Sequence, residues 1–332
     1  MLLFIPEYWL WGLFSAVIIT FLIFDLGIIH KNPKVITFQA AVNQSIFWIA
    51  IALSFCLILY FYYEPPGKLT STDAAVSYLT AYLIEKALSM DNIFVILLIL
   101  RTFKIEEEYH HEVLFWGVLG AIVMRLIFIL LGKFFVSQGE FVLWIFGAIL
   151  VYTGFKMLFF NHKQEEGPDP EKNLILRFAR SYLRITGEPH KGKLILFKEG
   201  KLYFTKLFLV ILLIESTDLI FAIDSIPAAF SVSTDIMVLY TSNIFAVMGL
   251  RAMFFVLSNI IHKFHLLSYG LSLVLLFIGG KMLYTPLIEG LQHFNILNQN
   301  VETHISPVIS LIITLTLLGG AIILSILIPP KN

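Results

Sequence analysis

The chain has 332 residues, of which 58% are hydrophobic and 14% are charged, and its 23 basic and 23 acidic side chains give a formal net charge of zero. A mean hydropathy of +0.85 excludes an ordinary soluble domain, and the balanced charge gives no indication of a nucleic-acid partner. Composition therefore places the chain among membrane proteins, with the lipid bilayer as its first partner.

Nine apolar stretches follow one another along the chain, each close to the ~20 residues that a helix needs to cross a hydrocarbon core. They lie near residues 10–29, 46–62, 79–100, 113–132, 141–160, 206–227, 237–257, 267–284 and 308–328. A membrane β-barrel would instead show segments of about ten residues with alternating polarity. We predict an all-α, polytopic membrane protein with about nine transmembrane helices.

The first two apolar stretches argue against a cleaved signal peptide and against a site built from cysteines. MLLFIPEYWLWG has no basic start and carries Glu7 ahead of its apolar run, so we expect a retained helix rather than a signal peptide. The single cysteine, Cys56, lies in the second stretch. One cysteine supports neither a disulfide framework nor a thiolate metal cluster.

The basic residues indicate which way the helices run. With nine helices, the loops after the first, third, fifth and seventh share one side of the membrane. These loops contain Lys31, Lys34, Arg101, Lys104, nine basic residues from Lys163 to Lys201, and Lys263. The opposite loops offer little beyond Lys68 and Lys133. The positive-inside rule then places the N-terminus outside and the C-terminus in the cytoplasm.

One sizeable hydrophilic segment, 161–205, divides the chain. We predict two N-terminal transmembrane helices in 1–78, a three-helix repeat A in 79–160, a basic cytoplasmic loop in 161–205, a three-helix repeat B in 206–284 and a C-terminal transmembrane helix in 285–332. Within the loop, LILRFARSYLRI predicts a short amphipathic helix and KLILFKEGKLYFT a hairpin around Glu199 and Gly200. We interpret the loop as a connector between the two halves.

Three pairs of segments indicate that the halves are an internal duplication. SMDNIFV at 89–95 matches STDLIFA at 216–222, RLIFIL at 125–130 matches RAMFFV at 251–256, and GFKML at 154–158 matches GGKML at 279–283. The offsets stay within 125–127 residues. Because each copy has three helices, an odd number, the copies must enter the membrane from opposite sides. This inverted repeat is typical of secondary transporters, whose site lies at the repeat interface near the midplane.

Charged residues interrupt the predicted spans. The acids are Asp25, Glu85, Asp91, Glu215, Asp218 and Asp224, and the bases are Lys86, Arg125, Lys156, Arg251 and Lys281. Each charge at mid-bilayer costs at least about 2.5 kcal/mol, so these side chains must face water or the bundle interior. We expect each arginine to form a buried ion pair, Arg125 with an acid of its own half. The lysines lie near helix ends, and we expect them to extend to the membrane surface.

The acids that outnumber these bases favour a cation pathway. The candidate metal ligands are Glu85, Asp91, Asn92, Glu215, Asp218 and Asp224, with Asn243 and Ser225 as secondary oxygen ligands. In DSIPAAF, Ser225 and Pro227 are expected to interrupt the helix and free carbonyl groups for a cation. Alternatives stay open for three acids: Glu85 as a gate or a partner of Lys86, Glu215 as a proton carrier, and Asp25 as a structural ion-pair partner.

The available ligand atoms are hard. All nine histidines fall in loops or at helix ends, whereas carboxylate, amide and carbonyl oxygens suit Mg²⁺, Ca²⁺ and Mn²⁺. The residues alone therefore predict a hard divalent cation as cargo and no resident cofactor. No HExxH motif and no serine–histidine pair lies in a span, so we expect no catalytic residues and no enzyme activity.

Four segments resemble the signature segments of the TerC family of integral membrane proteins: EKALSMDNIFV, FWGVLGAIVMRLIFI, DLIFAIDSIPAAFSV and YTSNIFAVMGLRAMFF. The layout is most similar to the Alx-type bacterial members, from about Asp25 to Leu283. The resemblance implies an exporter of the LysE superfamily in a bacterial inner membrane, with Mn²⁺ as the exported ion. It also implies a metal path along Glu85, Asp91, Asn92, Asp218 and Asp224.

Three functions remain open on this basis. Because no ATP-binding motif is present, an exporter would be a secondary carrier, in which H⁺ returns through a carboxylate that exchanges its metal for a proton. A tellurite or oxyanion pathway, which the family name suggests, would need Arg125 and Arg251 free in a basic cavity. A membrane scaffold or assembly factor would use the buried charges as structural pairs. The sequence does not define the oligomeric state.

Overall fold

The computed structural model describes residues 6–29, 36–66, 69–139, 141–160, 177, 181–186, 192–198, 200–260, 266–293 and 306–328. Ten α-helices account for most of this range. They are α1 (Glu7–Ile29), α2 (Phe38–Tyr62), α3 (Ser71–Thr102), α4 (His110–Ser137), α5 (Phe141–Phe160), α6 (Lys206–Val232), α7 (Ile236–Met248), α8 (Leu250–Ile260), α9 (Leu267–His293) and α10 (Pro307–Leu327). The prediction of an all-α membrane protein is confirmed.

Short polar side chains define where several helices begin. Thr70 accepts from the N–H of Asp73, and Asp73 accepts from the N–H of Thr70, so a capping box starts α3 ahead of the predicted residue 79. Thr205 and Asp235 cap α6 and α7 with one side-chain bond each, accepting from the N–H of Phe208 and of Met237. Ser306 caps α10, whose first residue, Pro307, has no N–H that needs a partner. The helices thus start at residues that satisfy their free N–H groups.

Seven helical segments of the described chain are long and apolar enough to cross a membrane. They lie within residues 7–24, 38–62, 107–137, 141–159, 236–258, 267–284 and 307–327. Two long helices, α3 and α6, are not among the seven. Both contain acids of the predicted metal path within otherwise apolar sequence. The count of nine spans stays a prediction, because it depends on α3 and α6 crossing the membrane despite their charges.

The predicted seventh span, 237–257, consists of two helices. α7 ends at Met248 and α8 starts at Leu250, with Gly249 between them. Pro227, which we expected to interrupt a helix, instead lies inside the continuous α6. It lacks the N–H that would bond to the carbonyl of residue 223, so one carbonyl loses its helical partner without a break in the helix.

Contacts between helix ends place the end of α2, the start of α3, the end of α4 and the α6–α7 junction at one side of the bundle. The Tyr63 hydroxyl donates to Asp235 at 2.7 Å, and Ser71 donates to the carbonyl of Tyr63 at 2.6 Å. Lys133 donates to the carbonyl of Thr234 at 2.8 Å. These helices therefore alternate in direction, as the predicted path requires. Which side is cytoplasmic stays a prediction.

The hydrophilic segment contains the described β-structure. Strands β1 (Ile195–Lys198) and β2 (Lys201–Phe204) pair antiparallel, with Lys198 opposite Lys201. Gly200 has φ of 71°, which glycine adopts readily and which the tight turn requires. The predicted hairpin is confirmed. Half of the predicted amphipathic helix at 174–185 lies outside the described residues.

Helices α5 and α9 pack closely along their lengths. A Cβ at Gly279 would lie 2.8 Å from the carbonyl oxygen of Gly147, and a Cβ at Gly154 would lie 2.9 Å from that of Ser272. Residue numbers rise along one helix as they fall along the other, so the two are antiparallel. The two contacts exchange places under the 125-residue offset, which is the reciprocity expected of symmetric copies. The inverted repeat itself stays a prediction.

Candidate functional site

A buried arginine joins α3, α4 and α7 in the middle of the bundle. Nη1 of Arg125 lies 2.5 Å from Oε1 of Glu85 and donates to Oδ1 of Asn243 at 2.5 Å. The Arg125 side chain is 7% exposed and the Glu85 side chain 3%. Ser89, one turn along α3, donates to Glu85 at 3.3 Å. The predicted ion pair of Arg125 with an acid of its own half is therefore present.

Asp218 brings α6 into the same cluster. Its Oδ1 accepts from Nδ2 of Asn92 at 3.1 Å and lies 3.9 Å from Nη2 of Arg125. The second distance is too long for a hydrogen bond but short enough for electrostatic attraction. Residues 92 and 218 come from the two predicted repeats, so this hydrogen bond joins the two segments. Arg125 and Asn92 leave Asp218 with no strong charged partner at hydrogen-bond distance among the described side chains.

Glu215, one turn before Asp218, lies against the face of α4 that Gly117 and Gly120 form. Its Oε1 would be 3.9 Å from a Cβ at Gly117, and a Cβ at Gly120 would overlap its carboxyl group. Only glycine leaves room there for the carboxyl group. Oε1 of Glu215 is buried without a hydrogen-bond partner in the described structure, and so is Oδ1 of Asn92. Two oxygens with cation-binding capacity are thus unsatisfied near Asp218.

A cavity opens beside the Asn92–Asp218 pair. The residues that line it include Ile96, Gly117, Ile214 and Thr217. Its volume of about 20 Å³ for a water-sized sphere is roughly the space of one water molecule. Ile96 follows Asn92 along α3, whereas Ile214 precedes Asp218 along α6. The cavity therefore extends from the pair toward the predicted cytoplasmic side.

Lys86 corrects one prediction from the sequence. We expected it to extend to the membrane surface, but it is buried and donates to the carbonyl of Ala246 at 3.2 Å, in the last turn of α7. Its Nζ also lies 5.8 Å from the ring centre of Tyr82. A Cβ at Gly249 would overlap this nitrogen, so the break between α7 and α8 has room for the ammonium group. Neighbouring residues of a helix point about 100° apart, so Lys86 points away from Glu85. This direction leads to α7 and not to water.

The structure leaves part of the predicted site undescribed. The side chains of Asp25, Asp91 and Asp224 lie outside the described residues, although all three belong to helices. Ser225 and Arg251 are buried in α6 and α8. Among the described residues, no group of three or more histidine, cysteine, aspartate or glutamate side chains is placed to hold a metal ion. Of the described acids, Glu85 and Asp218 both face Arg125.

Comparison with known proteins identifies the family. Residues 70–332 match the model described as the integral membrane protein TerC family. That range is well over half of the chain. The chain belongs to the TerC family.

Relatives of this TerC protein extend over most of its length. An uncharacterized membrane protein from Rickettsia felis is 41% identical over 318 residues, which cover 96% of this chain and 97% of that protein. A protein from Photorhabdus laumondii is 41% identical over 276 residues, covering 82% of this chain and 85% of its own, and its name describes a candidate membrane-bound redox modulator, Alx. A protein from Salmonella typhi with the same name is also 41% identical over 276 residues. No solved structure matches.

Sequence reasoning missed three components of the site in this TerC protein. They are Ser89, the glycine surface at Gly117 and Gly120, and the Ala246 carbonyl that binds Lys86. The spacing of Ser89 four residues after Glu85 was a usable signal, since side chains at that spacing meet on a helix. The other two depend on how α4 and α7 pack against their neighbours, which no local pattern encodes.

Proposed function

We propose that the protein is a secondary carrier that exports a hard divalent cation, Mn²⁺, from the cytoplasm through the cluster around Asp218. One observation supports this most strongly. Asn92 of α3 and Asp218 of α6 are bonded beside a small cavity, and Oδ1 of Asn92 and Oε1 of Glu215, one turn before Asp218, have no hydrogen-bond partner among the described residues. Buried polar atoms without partners are rare in stable folds and favour a site that a ligand completes.

The charge of the cluster suits a divalent ion. Glu85, Glu215 and Asp218 provide three carboxyl groups, and Arg125 provides the one guanidinium in salt-bridge range of this group among the described side chains. When all four groups are ionised, two negative charges remain, which one divalent cation would balance. Without such a cation, the surplus charge is costly in a region of low dielectric.

The ligand chemistry favours a hard ion. Carboxylate and amide oxygens suit Mn²⁺, Mg²⁺ and Ca²⁺ better than metals that prefer imidazole or thiolate. The choice of Mn²⁺ among the three follows the TerC resemblance of the motif segments. The cargo would reach Asp218 through the cavity at the Ile96 and Ile214 side. Release at the opposite side would require the two halves to move relative to each other.

One feature supports the other candidate, a membrane scaffold. The Arg125–Glu85 pair is nearly fully buried, and such a pair can fix helix packing without any transport role. An oxyanion pathway has less support, because Arg125 already contacts Glu85 and Asn243. A thiol-based redox role would depend on Cys56 alone, because the chain has no second cysteine. The Cys56 thiol donates to the carbonyl of Ala75 at 3.4 Å.

Mn²⁺ flux in proteoliposomes tests the proposal. We expect wild-type protein to transport Mn²⁺, and Asp218→Asn to lose this flux at matched folded yield. Asp235→Asn serves as the control, because Asp235 is a buried acid that caps α7 far from the cluster. Absence of wild-type flux, or equal flux in wild type and Asp218→Asn, would favour the scaffold. A flux that responds to an imposed pH gradient would identify H⁺ as the coupling ion.

A further inference from the structure

Arg125 does more than neutralise one acid. It is the one described side chain that contacts acids of both predicted repeats, Glu85 on α3 and Asp218 on α6. The two contacts are unequal: 2.5 Å for Nη1 to Glu85 and 3.9 Å for Nη2 to Asp218. The guanidinium therefore lies near Asp218 without saturating it.

We propose that Arg125 is a tethered counter-cation that neutralises the carboxylates while the site is empty and is displaced from Asp218 when metal binds. This inference rests on the proposed cation transport. Such a counter-cation would act in the step in which the carrier returns without metal. When no proton takes the place of the metal, the carrier returns across the membrane with an empty site, and three uncompensated carboxylates would face a high electrostatic cost in that step. A positive side chain within the protein lowers that cost.

The geometry provides for both positions of the guanidinium. Asn243 accepts from Nη1 at 2.5 Å, so a neutral partner holds the head group whether or not Asp218 is engaged. Nε of Arg125 is buried without a hydrogen-bond partner in the described structure. A guanidinium has five N–H groups in a fixed fork, and this one leaves part of that capacity unused. A side chain with a purely structural role would be expected to satisfy it.

The direction in which Mn²⁺ affinity changes when Arg125 is removed shows whether Arg125 competes with the metal. If Arg125 competes with Mn²⁺ for Asp218, removing its charge must tighten Mn²⁺ binding. If Arg125 only positions the ligands, removing it must weaken binding. A cation 4–6 Å from a carboxylate changes that group's affinity for a proton by about one to three orders of magnitude, and we expect at least about a tenfold effect on Mn²⁺.

The experiment compares wild type, Arg125→Gln, Arg125→Lys and Lys281→Met. For each, it measures Mn²⁺ affinity in detergent, net Mn²⁺ efflux from proteoliposomes into metal-free buffer, and exchange of radioactive Mn²⁺ against unlabelled Mn²⁺. Exchange does not require the empty carrier to return. Lys281→Met is the matched control, because Lys281 is a half-buried cation bonded to Ser310 at 2.8 Å, outside the cluster.

We expect Arg125→Gln to bind Mn²⁺ at least about tenfold more tightly, to retain exchange and to lose at least about tenfold in net efflux. Lys281→Met should resemble wild type in all three.

Weaker or unchanged binding in Arg125→Gln, or equal loss of exchange and net efflux, would overturn the inference. Arg125→Lys retains the charge and should retain net efflux. If Arg125→Gln fails to fold, an Arg125→Lys variant that folds but exchanges without net efflux would overturn the inference. A wild type without Mn²⁺ binding or flux would reject the proposed function itself.

Discussion

Replacing Glu85 by glutamine tests whether the charge cluster stabilises the bundle. The change removes the charge that faces Arg125 at 2.5 Å, where the two side chains are only 3% and 7% exposed. Water cannot replace the lost partner, so the range for breaking a buried pair applies, about 3–5 kcal/mol. Arg125 keeps Asn243 and, at 3.9 Å, Asp218, which favours the lower end. We expect a loss of about 3 kcal/mol, which for a chain of 332 residues is roughly 4 °C in apparent melting temperature.

Thermal unfolding in one detergent, followed by circular dichroism, measures this loss. Glu7→Gln is the matched control, because Glu7 is an exposed acid at the start of α1 whose partner is Trp11. We expect that change to stay within about 0.5 kcal/mol. The double variant Glu85→Gln with Arg125→Met removes both charges and should be more stable than the sum of the single losses implies. A Glu85→Gln variant that melts with the wild type, or losses that simply add, would refute the reasoning.

Three further changes test other parts of the fold and site. Gly279→Ala should destabilise the bundle by about 1–3 kcal/mol, because its Cβ meets backbone atoms of α5, whereas Gly280→Ala, with open space around it, should be nearly neutral; equal melting temperatures would contradict this packing. Tyr63→Phe removes a buried 2.7 Å hydrogen bond to the α7 cap and should cost about 1 kcal/mol in thermal unfolding, and no measurable loss would contradict that role. Gly120→Ala displaces the carboxyl group of Glu215 and should reduce Mn²⁺ flux in proteoliposomes with little change in melting temperature; full flux would argue against a role for that carboxyl group.

Part of the site was predictable, because the position of a residue along a membrane helix follows from the sequence and sets its depth in the bilayer. The repeated motifs predict that Asp91 and Asp218 lie at similar depth, and the structure joins Asn92, the residue after Asp91, to Asp218 at 3.1 Å. The rule that a buried guanidinium needs an acid predicted a partner for Arg125 in its own half, and the structure shows that this partner is Glu85. The hairpin followed from local signals at Glu199 and Gly200. Each of these depends on residues close in sequence or on a pairwise requirement of charge.

The rest depends on which way each helix face turns. Glu85 and Lys86 are neighbours in sequence, yet one contacts α4 and the other contacts α7. The sequence predicted a surface position for Lys86, because it contains no record of the Ala246 carbonyl in the last turn of α7. The break at Gly249 was missed for the same reason: a glycine within an apolar run is compatible with a continuous helix until a neighbouring ammonium group occupies the space of its side chain.

The most direct test of the central claim is anomalous diffraction from crystals grown with Mn²⁺, measured at the manganese absorption edge. The account predicts an anomalous peak beside Asp218 and Asn92, in the cavity that Ile96 and Ile214 line, and loss of this peak in Asp218→Asn. A protein that transports Mn²⁺ but shows the metal only at sites outside the bundle would contradict the account.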